Sequence, residues 1–295
     1  MGFLSRLKTV FSRRPAVPTL GLALGSGGAK GMAHLGALKA FEEAGLAFTV
    51  ITGTSIGSIV GALYAKGFTS ADMIGIIENL NKKEFSKNIR PFAEMDFAEK
   101  FVEQYIEENI EDLPKKFACW ATDAQTNEGV LLNHGKTARA LTASSAMPPF
   151  FKAVTIDGRR LFDGAFTNAV PADVCKEMGA DIVVGIDLSA FVQPDEEKGT
   201  ISRLLGAAIT RFTPVHDLED HKSRGYDAAD VMLRPNLYGH RATDVSRAGM
   251  DAMFELGYSE AKARIAEIKE KIAEYPAFVK AKKREEKRMR KHEGE

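Results

Sequence analysis

The sequence predicts an α/β fold, because short apolar strand-like runs alternate with helix-like segments along most of its 295 residues. Two transitions carry most of that reading, each an apolar run that turns through glycines into a helix pattern. In the first, Leu20-Gly21-Leu22-Ala23-Leu24 leads through Gly25-Ser26-Gly27-Gly28-Ala29-Lys30-Gly31 into a helix over 29–44, with Met32, Leu35, Leu38 and Phe41 on one face. In the second, Phe48-Thr49-Val50-Ile51 leads through Gly53-Thr54-Ser55-Ile56-Gly57 into a helix over 56–66.

The remaining strands are expected at 117–122, 129–132, 154–156, 160–162 and 182–187, with 230–233 as a further candidate; the first two lie at 20–24 and 49–51. Residues 69–109 read as helical with a break near Pro91, and contain Phe85, Phe92, Met95, Phe97 and Phe101. That enrichment suits a lid over a binding site, although ordinary core packing is the plainer account. A last helix is expected over 245–273, with Met250, Met253, Phe254, Leu256 and Ile265 for packing. The chain has no internal repeat.

The second transition is a candidate nucleophile elbow. A serine on a strained strand-to-helix turn needs close backbone approach on both sides, and glycine at 53 and 57 removes the Cβ atoms that would clash. Ser55 would sit at a helix N-terminus, where free N–H groups and the dipole favour developing negative charge, and the Ile56 amide is a natural oxyanion donor. The upstream loop is an anion cradle in which Gly27 and Gly28 can direct N–H groups at an oxyanion. A dinucleotide fingerprint would want glycine where Lys30 stands, and a Walker loop would need Lys-Ser/Thr after Gly31 rather than Met32. Downstream, a short strand delivers Asp163 at its end, with Gly164 and Ala165 leaving room beside the carboxylate; a plain Asp-Gly turn is the competing account.

These segments, in this order, resemble the bacterial patatin-like phospholipases. The resemblance rests on the glycine loop at 25–31, the elbow at 53–57, Asp163-Gly164-Ala165, and Ala143-Ser144-Ser145-Ala146-Met147-Pro148, and it spans about residues 19–190. It implies a three-layer α/β/α sandwich with a mainly parallel central sheet, and a catalytic Ser55–Asp163 dyad. It also implies an oxyanion hole from Gly27, Gly28 and Ile56, supported by Gly25, Lys30, Gly31, Gly53, Gly57 and Gly164. Lys30 stands where many members carry arginine. The implied substrate is a lipid ester, and phospholipid, lysophospholipid, triacylglycerol and thioester all fit; no metal or organic cofactor is expected. An aspartate acting alone on a serine hydroxyl needs a raised pKa, so Asp163 is expected to be dehydrated at the floor of a lipid-lined pocket.

Other readings stay open at this level. A Ser-His-Asp triad esterase or thioesterase could draw on His216, His221 or His240. A non-catalytic lipid- or nucleotide-binding module could use the same glycine loop. His34, on the helix after that loop, is placed to touch the site as a packing residue; the His216–His221 stretch lacks the spacing of a metal site.

Lys+Arg equals Asp+Glu at 40 each, which argues against nucleic acid as the main partner. Only Cys119 and Cys175 are present, so a disulfide framework is excluded and a reducing cytoplasm is the expected location. Residues 1–17 form a basic amphipathic segment, with Phe3, Leu4, Leu7, Val10 and Phe11 among Arg6, Lys8, Arg13 and Arg14. It suits either packing on the domain or peripheral contact with an anionic inner-membrane surface. The hydrolase domain is then expected over 18–275, followed by a charged tail over 276–295 whose stretch from Lys280 to Lys291 either continues the helix into solvent or is disordered.

Overall fold

The computed structural model describes residues 17–79, 92–189, 225 and 227–292. Its centre is one mixed eight-stranded sheet with the order β5-β6-β3-β2-β1-β7-β8, and β4 on β3 off that path. The strands are β1 (Leu20–Leu24), β2 (Val50–Thr54), β3 (Lys116–Asp123), β4 (Gly129–Leu132), β5 (Val154–Ile156), β6 (Arg159–Asp163), β7 (Ile182–Ile186) and β8 (Val231–Leu233). The run β3-β2-β1-β7-β8 is parallel, while β4, β5 and β6 pair antiparallel at one side.

Side-chain alternation along the parallel strands creates the layers. Leu22, Leu24, Ile51, Val184 and Ile186 face one apolar cluster, which they share with α1 (Met32–Glu43), α2 (Ile56–Lys66) and α7 (Arg247–His292). Their neighbours Ala23, Val50 and Val183 face a second cluster with Ala172 and Cys175 of α6 (Ala172–Glu177). The result is the expected α/β/α sandwich. Helix α7 crosses α1 at very close range: a Cβ on Gly36 would lie 2.0 Å from the Phe254 carbonyl, and one on Gly257 would lie 2.0 Å from that of Ala33.

Three expectations change. Strand β2 runs on through Thr52, Gly53 and Thr54, beyond the apolar residues that announced it. Its buried threonines are polar but satisfied, Thr52 Oγ1 donating to the Pro171 carbonyl and Thr54 Oγ1 to that of Asn168, each at 2.8 Å. The stretch at 69–109 is not one interrupted helix: α3 is Ser70–Asn79, α4 is Asp96–Glu103, and residues 104–109 are not helical. Phe85 and Pro91 lie outside the described residues. Phe97 packs on Phe151 and Phe101 on Tyr105, which favours packing over a lid for these rings, whereas Phe92 is exposed. Finally, α7 runs past 273 to His292, so the charged stretch after 280 continues that helix, one of the two readings open for it. Residues 1–16, most of the basic N-terminal segment, lie outside the described residues.

The pairing on β3 places the site. Strand β2 pairs with Lys116 to Trp120, and β6 pairs with Ala121 to Asp123. Strand β4 overlaps both partners, pairing at Cys119 to Thr122, and therefore occupies the opposite edge. β2 and β6 thus share one edge of β3 and run toward each other. Thr54 registers with Trp120 and Asp163 with Ala121, so the carboxyl ends of the two strands meet.

Candidate active site

Ser55 follows β2 directly and caps α2 with φ 56° and ψ −126°, a region that costs a non-glycine residue about 1–3 kcal/mol. The strain is held by hydrogen bonds on both sides. The Ser55 amide donates to Ser144 Oγ at 2.9 Å, and its carbonyl accepts from the Ser58 amide at 2.8 Å and the Ser58 hydroxyl at 2.6 Å. The flanking glycines serve as the sequence suggested. A Cβ on Gly53 would lie 2.3 Å from the Gly57 carbonyl oxygen, and one on Gly57 would lie 2.2 Å from that of Leu24. These are backbone atoms with little freedom to move. Gly57→Ala is therefore expected to cost about 2–3 kcal/mol or more and to disturb the elbow. A melting temperature and esterase rate equal to wild type would show that the turn adapts.

Asp163 ends β6, and only 1% of its surface is exposed. Its Oδ2 accepts from Ser55 Oγ at 2.6 Å, and its Oδ1 accepts from the Ala165 amide at 2.9 Å. Burial raises its pKa to about 6, against the opposing effect of the Ser55 hydroxyl and the Ala165 amide, which favour the carboxylate. Its backbone is fixed too, the amide donating to the Ala146 carbonyl at 3.2 Å and the carbonyl accepting from Thr122 Oγ1 at 3.0 Å. Direct oxygen-to-oxygen contact leaves no space for an imidazole between Ser55 and Asp163.

The glycine loop packs on the elbow. A Cβ on Gly31 would meet Ile56 Cγ1 at 2.3 Å, and the Gly57 Cβ position lies 2.6 Å from the Gly25 carbonyl. Three amides anchor the loop: Gly25 donates to Ile186, Ser26 to Ala169 and Ala29 to Ala242. Among the described residues, the amides of Gly27, Gly28 and Ile56 make no hydrogen bond. Gly28 has φ +58°, and a Cβ there would lie 2.5 Å from the Ala242 carbonyl oxygen. Gly164, beside the carboxylate, abuts the Trp120 carbonyl, at 2.1 Å from its Cβ position. Lys30 is half-buried; desolvation lowers its pKa, and the nearby charge of Asp187 offsets part of that.

Histidines take other places. His34 is buried, and its Nε2–H donates to the Gly25 carbonyl at 2.8 Å; burial lowers its pKa to about 4, so near neutral pH it is an uncharged strut for the loop. His134 sits beside Asn133 on the surface, and His240 lies in the connection after β8. His216 and His221 lie outside the described residues. Among the described residues no group of His, Cys, Asp or Glu could hold a metal ion, and both cysteines are buried free thiols. The bonds of His34 and Ser144, and the field of Asp187 on Lys30, were not readable from the sequence. For Ser144 a signal existed in the small-residue stretch ending at Pro148.

The family model described as patatin-like phospholipase matches residues 22–176, which include the glycine loop, the elbow and Asp163. Lysophospholipase nte1 of Aspergillus niger is 25% identical over 288 residues, covering 88% of this chain and 19% of that protein. Patatin-like phospholipase domain-containing protein 6 of Mus musculus is 31% identical over 283 residues, covering 83% of this chain and 20% of that protein. The chain thus spans about a fifth of the length of these curated relatives. The crystal structure of VipD from Legionella pneumophila superposes with a TM-score of 0.60 at 15% identity, covering 86% of this chain and 68% of that one; this likeness bears on the fold.

Proposed function

Because the chain belongs to the patatin-like phospholipase family, we propose that it hydrolyses fatty-acyl ester bonds of phospholipids or lysophospholipids through a Ser55–Asp163 dyad. The observation that carries the dyad is the 2.6 Å contact between Ser55 Oγ and a buried carboxylate, whose pKa burial raises to about 6, toward the range suited to a general base near neutral pH. Asp163 takes the Ser55 proton as Oγ attacks the acyl carbonyl. The amides of Gly27, Gly28 and Ile56 hold the tetrahedral oxyanion, and each such donor is typically worth about a hundred- to a thousandfold in rate. Collapse breaks the ester bond, and Asp163 returns the proton to the departing alcohol. The same carboxylate then deprotonates a water, which releases the fatty acid and restores Ser55. Every proton moves between these two side chains, the ester and water, so the cycle needs no metal or organic cofactor.

Labelling by a fluorophosphonate, followed by assays on phosphatidylcholine and lysophosphatidylcholine vesicles, tests the proposal. An unlabelled wild type, inert on every ester, would turn the reading to a lipid-binding module on a hydrolase fold. The basic segment 1–17 fits a peripheral contact with anionic membrane at the cytoplasmic face. Removing it is expected to weaken binding to anionic vesicles while leaving hydrolysis of a soluble ester unchanged. Equal vesicle binding by the truncated chain would rule that role out.

A further inference from the structure

We propose that Ser144 is a positioning residue for the nucleophile, its hydroxyl holding the Ser55 amide in the elbow conformation from which Oγ reaches Asp163. The inference rests on the hydrolase reading above. Ser144 is the last residue of α5 (Thr137–Ser144) and is fully buried. Its hydroxyl proton goes to the Trp120 carbonyl at 2.7 Å, and the oxygen accepts the Ser55 amide at 2.9 Å. A carbonyl only accepts and an amide only donates, so the polarity of this relay has one solution.

Its anchor lies at the junction of the two strands that bring the dyad together. Trp120 registers with Thr54, and the next residue, Ala121, with Asp163. Two residues beyond Ser144, the Ala146 carbonyl accepts the Asp163 amide. One short segment therefore touches the backbone of both dyad members, through a side chain at Ser55 and through the main chain at Asp163. The Ser55 carbonyl is held from within its own helix by Ser58, whereas the amide is held by Ser144 at the end of a different helix, α5. Without that hydroxyl a part-buried N–H loses its acceptor, and Ser55 is freer to relax from positive φ and carry Oγ off Asp163.

The test is steady-state hydrolysis of a short-chain p-nitrophenyl ester by Ser144→Ala across pH 4–9, with fluorophosphonate labelling rates alongside. Displacing a reacting atom by about an ångström costs roughly a hundredfold, so kcat is expected to fall about 10- to 100-fold with KM nearly unchanged. Labelling is expected to slow in parallel. The acid limb is expected to move upward from about 6, because a weaker Ser55 contact removes support for the carboxylate. A kcat within twofold of wild type and an unmoved acid limb would overturn the proposal, whatever the melting temperature does. Ser144→Cys, nearly isosteric with a weak sulfur acceptor, carries the same readouts should the alanine variant fold poorly; full activity in the cysteine variant also overturns it. A wild type inert to fluorophosphonate would instead remove the hydrolase reading on which the inference stands.

Discussion

Ser55→Ala is expected to lower ester hydrolysis by roughly 10⁴-fold or more and to abolish fluorophosphonate labelling, while the folded structure persists. Loss of a hydrolase nucleophile typically removes nearly all catalysis beyond what the oxyanion donors and binding supply. The substitution leaves the elbow able to form: the Ser55 amide and carbonyl make the bonds to Ser144 and Ser58, and both are main-chain groups. Among the described residues the side chain makes one hydrogen bond, to Asp163. Alanine variants at His34, His216, His221 and His240, assayed on the same ester, separate dyad from triad. A loss comparable to Ser55→Ala at His216, His221 or His240, in a folded protein, would point to a triad. His34→Ala is expected to be milder than Ser55→Ala, since His34 acts on the loop through the Gly25 carbonyl.

Asp163→Asn is expected to remove activity by roughly 10³-fold or more and yet to make the protein more stable near pH 8. Asparagine cannot take the serine proton, but its carbonyl oxygen can accept from Ala165 and its amide can donate to Ser55 Oγ. The stability gain follows from linkage. The folded pKa of about 6 lies above the unfolded value near 4, so between those limits the folded chain binds a proton that the unfolded chain releases. Wild-type stability therefore falls as pH rises through that window, and the loss is complete above about 6. At roughly 1.4 kcal/mol per pKa unit, the ionised group costs up to about 3 kcal/mol. Urea melts are expected to show the variant ahead by an amount of this order at pH 8 and level with wild type near pH 4. The same titration sets the acid limb of kcat/KM near 6. A rate that stays flat down to pH 4, or a variant less stable at pH 8, would contradict the assignment of Asp163 as a buried base.

The two expectations rest on different kinds of information. The elbow was legible because its residues are local: Gly53 to Gly57 sit within one turn, and the Gly53 clash is with the Gly57 carbonyl, although the Gly57 clash is with the Leu24 carbonyl of β1. The sequence-predicted strand at 20–24 and helix at 56–66 match the structure for a similar reason, since a run of apolar side chains or a helical stripe is a short-range pattern. Where that pattern fails, as in the buried Thr52-Gly53-Thr54 end of β2, the sequence understates the strand. Those hydroxyls are satisfied by carbonyls more than a hundred residues away.

By itself, then, the sequence determined the chemical groups available and the local turns that present them: a serine on an elbow, a glycine loop, and an aspartate at a strand end. Tertiary structure alone decided that Ser55 and Asp163, 108 residues apart, meet at 2.6 Å, because β2 and β6 end head to head on one edge of β3. It also decided that the aspartate is basic, that His34 is neutral, and that Ser144 holds the Ser55 amide from 89 residues away. Local backbone sterics depend on neighbours in the chain, whereas burial and hydrogen-bond partnership depend on what packs across it.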